Sequence, residues 1–283
     1  MGMAIEIGPV GVWSIPRVWP DGNLTDVVAE LEDLGYGAFW HGSSPAGDLR
    51  GIEKLLAATS TMPIGTSIVN VWTTTPEEVA ASYHRVSANH PGRLTLGIGA
   101  GHREATAEYT RPHARLAGFL DGLDHANVPV EHRMLAALGP RVLTLAADRT
   151  AGAQPYLVPP EHTRRAREIL GPCRILAPEQ KVVLETDPER ARAIARETVG
   201  MYLGTSNYTN NFRRLGFTEE DVAGGGSDRL VDAVIAWGDE EAIRARVAEH
   251  HAAGADHVAI QVLNPLDTRM AAFRALAPAL VSG

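Results

Sequence analysis

Cysteine is nearly absent from this sequence: Cys173 is the single one in 283 residues. An intramolecular disulfide is therefore excluded, and so is a cluster of thiolate ligands on a metal. One reduced cysteine agrees with a reducing compartment. Within Gly171-Pro172-Cys173-Arg174 it reads as filler in a loop that leaves a helix. Long apolar runs are missing too, and none approaches the ~18 uncharged residues of a membrane helix. The opening Met1-Gly2-Met3-Ala4-Ile5-Glu6 lacks a basic stretch followed by a long apolar core, so a cytoplasmic protein is expected. No run or stripe of Lys and Arg stands out. With 34 acidic against 26 basic residues the formal charge is −8, which argues against a nucleic-acid partner.

Several catalytic signatures are also lacking. No G-x-S-x-G elbow is present, so a serine hydrolase has no support. Eleven histidines occur, but none forms H-E-x-x-H, and His250 and His251 are neighbours that point to different sides of a helix. A catalytic metal is not expected. Glu185 lacks an identifiable partner for a glycosidase pair. Gly97-Ile98-Gly99-Ala100-Gly101-His102 approaches a dinucleotide fingerprint but has His where the third glycine belongs.

What is present is alternation. Short β-rich runs are predicted at 5–12, 38–41, 64–69, 94–98, 133–137, 152–156, 181–184 and 257–262. Between them lie helical patterns, many opened by proline at the first turn, as at Pro76, Pro140, Pro160 and Pro188. Parallel strands need such long crossovers, and eight of them predict a closed (β/α)8 TIM barrel forming one domain over residues 1–283. The excess length is helical, near 208–215, 228–237 and 240–252, between strands seven and eight. Gly224-Gly225-Gly226 before Ser227 reads as a loop, not a linker.

The candidate site residues stand at strand ends, the catalytic face of such a barrel. Gly97, Gly99 and Gly101 line one end, where a flat ring or phosphate can approach the backbone, although a plain barrel turn gives the same pattern. Leu138-Gly139-Pro140-Arg141 places a glycine, a helix N-terminus and an arginine together, which suits an anion or an ordinary surface turn. Trp72 closes strand three, as a site residue or as packing beneath a loop. His41 and His102 follow strands two and four, where imidazole can transfer protons near working pH.

These segments resemble the luciferase-like monooxygenase superfamily, and more closely its actinobacterial F420-dependent oxidoreductase branch. The anchors are Glu32-Asp33-Leu34-Gly35-Tyr36-Gly37-Ala38-Phe39-Trp40 and Pro91-Gly92-Arg93-Leu94-Thr95-Leu96-Gly97-Ile98-Gly99. They continue with Leu138-Gly139-Pro140-Arg141, Leu145-Ala146-Ala147, Gly152-Ala153-Gln154-Pro155-Tyr156 and Ala253-Gly254-Ala255-Asp256-His257-Val258. The resemblance implies a luciferase-like barrel with a late helical insertion, and a non-proline cis peptide at Ser67–Ile68 backing the coenzyme ring. It implies coenzyme F420, or alternatively FMN, held by Ser67, Ile68, Gly99, Ala100, Gly101, His102, Gly139, Pro140 and Arg141. Hydride transfer to or from a small organic substrate follows, with His41 or His102 as proton donor, in a homodimer. The alternatives are an FMN-dependent monooxygenase and a non-catalytic F420-binding protein. Many relatives carry an Asp-His or Glu-His pair after strand two, whereas Gly42-Ser43 stands here.

Overall fold

A computed structural model of the chain describes residues 5–19 and 23–281, so the start of the opening stretch read above for a leader lies outside the described residues. In chain order come β1 (Val10–Ser14), α1 (Leu24–Asp33), β2 (Phe39–Gly42), α2 (Arg50–Ala58), β3 (Ile64–Ser67), β4 (Val69–Asn70), α3 (Pro76–Asn89) and β5 (Leu94–Gly99). Then follow α4 (Pro112–His125), β6 (Arg133–Leu135), α5 (Pro140–Arg149), β7 (Gly152–Ala153), α6 (Pro160–Leu170), β8 (Ile175–Leu176) and β9 (Glu179–Leu184). The chain closes with α7 (Pro188–Leu203), α8 (Ser206–Arg214), α9 (Glu219–Val222), α10 (Asp228–Val234), β10 (Ile235–Gly238), α11 (Glu240–Ala252), β11 (Val258–Val262) and α12 (Leu266–Leu280).

Every strand pairing is parallel. The barrel order is β11, β1, β2, β3, β5, β6, β7, with β8 and β9 completing it. The eleven segments make eight barrel positions: β3 runs into β4, β8 runs into β9, and β10 is an added strand on β9. Closure occurs at the kink between β8 and β9. There Ala177 N donates to Ala153 O at 2.9 Å, while Ala259 N donates to the neighbouring Pro178 O at 3.0 Å. One bent segment thus serves β7 on one side and β11 on the other. No described helix is long and apolar enough to cross a membrane.

The barrel wall packs its outward residues, such as Val12, Phe39, Ile64 and Leu96, against the helices in the main core. Its inward face carries Trp13, Trp40, Met134 and Ala259 in a second cluster. A side chain at Gly65 would collide with the Trp40 ring, so the glycine is what lets that indole fill the interior. A third cluster joins α7, α8 and α10 to β9 and β10, which fixes the late insertion against the barrel.

Two of the sequence anchors meet at the end of the barrel away from the C-terminal strand ends. The Glu32 carboxylate accepts the backbone N–H groups of Ser60, Thr61 and Met62 at 2.8, 2.6 and 2.6 Å. The Arg93 guanidinium donates to the carbonyls of Leu56, Thr59 and Met62. Both therefore hold the turn between α2 and β3, a stability role that suits this face of a barrel.

Three elements differ from expectation. The stretch 5–8 is irregular, and β1 begins only at Val10. The short β8 was not foreseen. The helix expected over 228–237 ends at Val234, and Ile235-Ala236-Trp237-Gly238 becomes β10, because a short apolar run fits a buried strand as well as a buried helix.

Three histidines are buried as neutral rings. His257 accepts from Trp40 Nε1 at 2.9 Å and donates from Nδ1 to Gly8 O at 2.8 Å. His250 pairs with Thr163 and Gln180, and His162 donates to Leu138 O at 2.8 Å. Burial lowers His257 and His162 to about 4 and His250 to about 3 from an ordinary 6.5. Their folded values are depressed, so the stability they support is complete above pH 6.5 and is lost as pH falls toward the folded values. Between pH 6.5 and about 5, before most carboxylates titrate, each should cost about 1.4 kcal/mol per pH unit. Urea unfolding across that window should show a falling free energy; a pH-independent value contradicts the neutral rings.

Candidate active site

Because every barrel strand is parallel, all of their C-terminal ends open on one face, and there a cavity of about 1010 Å³ lies. Trp13 and Ser14 reach it from β1, Ser43 and Ser44 from the loop after β2, and Ser67, Ile68 and Asn70 from the β3–β4 break. The Ser67–Ile68 peptide at that break is cis. Ala100, Gly101 and His102 follow β5, Leu138, Gly139 and Arg141 follow β6, and Gln154 and Tyr156 follow β7. The insertion closes the far side with Tyr202 from α7 and Asn207, Tyr208 and Arg214 from α8.

Of the residues selected from sequence, the fold brings Ser67, Ile68, Ala100, Gly101, His102, Gly139 and Arg141 to this one cavity. Gly99 sits behind it, since a side chain there would begin 3.0 Å from Ile68 and 3.2 Å from Ala136. Pro140 occupies the first position of α5 and does not line the wall. His41 is a correction. Along β2 it alternates with Trp40, whose register partner Trp13 faces the barrel interior, so its ring is directed away from the cavity. It is buried, burial lowers its pKa, and its Nδ1 has no hydrogen-bond partner among the described residues. Trp72 is packing: its Nε1 donates to Ala100 O at 2.9 Å, and it lies beside Tyr109. Glu185 is held by Arg190, outside the site.

The wall beneath the cis peptide is tied across the barrel. Gln154 Nε2 donates to Thr66 O at 3.2 Å and Thr66 Oγ1 donates to Gly97 O at 2.8 Å. A side chain at Gly97 would occupy the space of the Gln154 amide. The role of that glycine is thus close approach across the barrel, with the turn itself made farther along at Gly101, where φ is +59°.

Charge on the cavity wall is one-sided. Arg17, Arg141, Arg214 and Arg269 line it against a single carboxylate, Glu197. None of the four arginines joins an ion pair among the described residues, although most other arginines do. Arg214 lies within 4 Å of the point where a Gly139 side chain would start, so α8 presents a guanidinium to the N-terminus of α5. That N-terminus has no side-chain cap. Asn211, almost fully buried next to Arg214, keeps an Nδ2 donor without a partner among the described residues. The uncapped N-terminus of α5 and the guanidiniums of Arg141 and Arg214, the latter also donating to Asn211 Oδ1 at 3.4 Å, form a donor set for an anion.

Beneath the cavity, Lys181 and Glu179 form a buried ion pair with Nζ 2.9 and 3.0 Å from the two carboxylate oxygens. Glu179 also accepts from Leu157 N at 3.0 Å. The Lys181 ammonium stands 3.5 Å from the centre of the Tyr156 ring. Burial pushes Glu179 up and Lys181 down to about 8, and the charge on each is what keeps the other ionised. Sequence reading missed this pair, together with Tyr156, Arg17 and Arg269 as site residues, and it gave the Tyr202–Gly226 region only as one that shapes the substrate, without singling out Tyr208 or Arg214. Only Tyr156 had a local signal, as the last residue of an anchor.

Known proteins share this barrel. The family model for luciferase-like monooxygenase matches residues 20–127, which bears out the resemblance read from the anchors. No curated protein sequence matches the chain. Among solved structures, an F420-dependent secondary alcohol dehydrogenase in complex with an F420-acetone adduct superposes with a TM-score of 0.75 at 13% identity. It covers 96% of this chain and 99% of that one. The coenzyme F420-dependent tetrahydromethanopterin reductase of Methanopyrus kandleri gives 0.71 at 13% identity, over 98% and 99%. The oxygenating constituent of 3,6-diketocamphane monooxygenase of Pseudomonas putida, in complex with FMN, gives 0.65 at 14%, over 97% of each chain. At these identities the shared property is the barrel fold.

The ion pair yields a test. Lys181→Met alone should lower stability by about 3–5 kcal/mol, because it strands a buried carboxylate. Adding Glu179→Leu should return most of that loss in a urea titration. Equal stability of the single and double variants contradicts a mutually dependent pair.

Proposed function

Taking the luciferase-like barrel as premise, we propose that the chain is an oxidoreductase that binds the deazaflavin coenzyme F420 and exchanges hydride with a small organic substrate. The observation that carries this reading is the set of four arginines on the wall of one cavity, none in an ion pair among the described residues, in a chain of net charge −8. Such a wall favours a ligand with several negative charges. F420 has a phosphodiester and a tail of carboxylates, whereas FMN has one terminal phosphate, so the charge pattern favours the deazaflavin.

The residues fit that group. Ser67, Ile68 and the Ala100–Gly101 backbone offer a flat wall for a ring, and Gly139, Arg141 and Arg214 offer donors for its phosphate. Arg17 and Arg269 remain for the carboxylate tail. When bound, a deazaflavin supplies an obligate two-electron carrier, which leaves positioning and proton management to the protein. His102 is the proposed proton donor in place of His41. It lines the cavity beside Tyr202 and Tyr208, and its Nδ1 lies 3.3 Å from Asn207 Oδ1.

Titration of the purified protein with oxidised F420, followed by coenzyme fluorescence, tests the reading. Binding at micromolar concentrations is expected, with a weaker response to FMN. Arg141→Ala and Arg214→Ala should each weaken binding by about 10-fold, the loss of a charge-assisted hydrogen bond. Tighter binding of FMN than of F420 contradicts the proposal and favours a flavin monooxygenase.

A further inference from the structure

One part of the cavity wall is built of phenols, and what it binds rests on the coenzyme reading for its context. Tyr156, Tyr202, Tyr208 and His102 pack there edge to face, with the Tyr202 and Tyr208 rings 4.9 Å apart and the Tyr156 and Tyr202 rings 5.4 Å apart. The hydrogen bonds among them have a direction. Tyr156 Oη donates to Gln261 Oε1 at 2.9 Å, and it lies 2.9 Å from Tyr202 Oη. A phenol has one proton. With that of Tyr156 given to Gln261, the bond between the phenols uses the proton of Tyr202, which leaves the Tyr202 oxygen as an acceptor.

Tyr208 supplies the complement. It is buried to 4% exposure and lines the cavity, and its hydroxyl has no hydrogen bond among the described residues. Its oxygen is not one of the buried polar atoms left without a partner, so the hydroxyl opens on the cavity, where it can donate to a ligand. The Lys181 ammonium fixes the arrangement from below through the Tyr156 ring. This part of the wall thus presents an open donor and an open acceptor on adjacent phenols.

We propose that this corner seats one oxygen of the substrate, a hydroxyl or the carbonyl it interconverts with, with Tyr208 donating to it and Tyr202 accepting from it. For a hydroxyl both bonds form as the chain stands. For a carbonyl, rotation of the Gln261 amide reverses the chain, so that Gln261 donates to Tyr156, Tyr156 to Tyr202, and Tyr202 to the ligand. The substrate class is therefore a small neutral alcohol or ketone, and a hydrocarbon of the same shape is rejected. Tyr202 and Tyr208 act here as substrate-binding residues, with Tyr156 and Gln261 positioning Tyr202.

The test compares phenol with toluene, which share a ring and differ in the hydroxyl. Calorimetry is run on the protein loaded with F420 or, should it take up none, on the protein alone. Phenol should bind about 10-fold more tightly than toluene, the worth of one or two neutral hydrogen bonds. Tyr208→Phe and Tyr202→Phe keep the rings and should each reduce that preference at least about 3-fold, while F420 affinity stays within about 2-fold. Equal binding of the two probes to the wild type, or an unchanged preference in both variants, overturns the seat. Loss of F420 binding alone overturns the coenzyme reading and leaves the seat standing.

Discussion

The buried Glu179–Lys181 pair is the contact on which the site's floor depends. Two charges taken out of water carry a desolvation cost of several kcal/mol, which only good geometry offsets. Here the ammonium meets both carboxylate oxygens, the carboxylate takes a backbone N–H, and the remaining face of the ammonium meets an aromatic ring. That ring belongs to Tyr156, whose hydroxyl then reaches Tyr202 on the insertion and Gln261 on β11. One ion pair thus links the interior of the barrel, the kinked strand that closes it and the wall contributed by the insertion.

Above that neutral, aromatic floor the walls carry charge of one sign. A chain with an acidic excess keeps four guanidiniums around a single cavity and pairs most of the rest with carboxylates elsewhere. Global charge therefore misleads about the ligand, because the local field of a cleft decides what enters it. The wall has two kinds of chemistry, guanidiniums toward α5 and phenols toward Gln261, with Arg17 near Tyr202. Such a division suits a large anionic coenzyme lying beside a small neutral substrate.

Much of the fold was legible because its signals are local. Proline at first turns, apolar periodicity and strand-end glycines each depend on a few neighbouring residues. They placed the first turns of α3, α5, α6 and α7 where they are observed. The anchors that carried the family resemblance were legible for the same reason, yet Glu32 and Arg93 hold a turn at the far end of the barrel and say nothing about substrate. What was not legible is nonlocal. Tyr202, Tyr208 and Arg214 have no signature of their own, and they matter only because α7 and α8 fold over strand ends more than sixty residues earlier in the chain for His102 and Gly139. His41 failed in the opposite way. Its position after a strand looked right, but a period of two decides which face a residue occupies, and Trp40 took the interior. The short strands β8 and β10 were lost because two to four apolar residues carry no usable periodicity.

The measurement that bears most directly on this account is a crystal structure of the protein soaked with F420. The account predicts the deazaflavin ring against Ser67 and Ile68, its phosphate between the N-terminus of α5 and Arg214, and an open corner beside Tyr202 and Tyr208. A coenzyme bound with its phosphate away from Arg141 and Arg214, or with its ring filling the tyrosine corner, would contradict it.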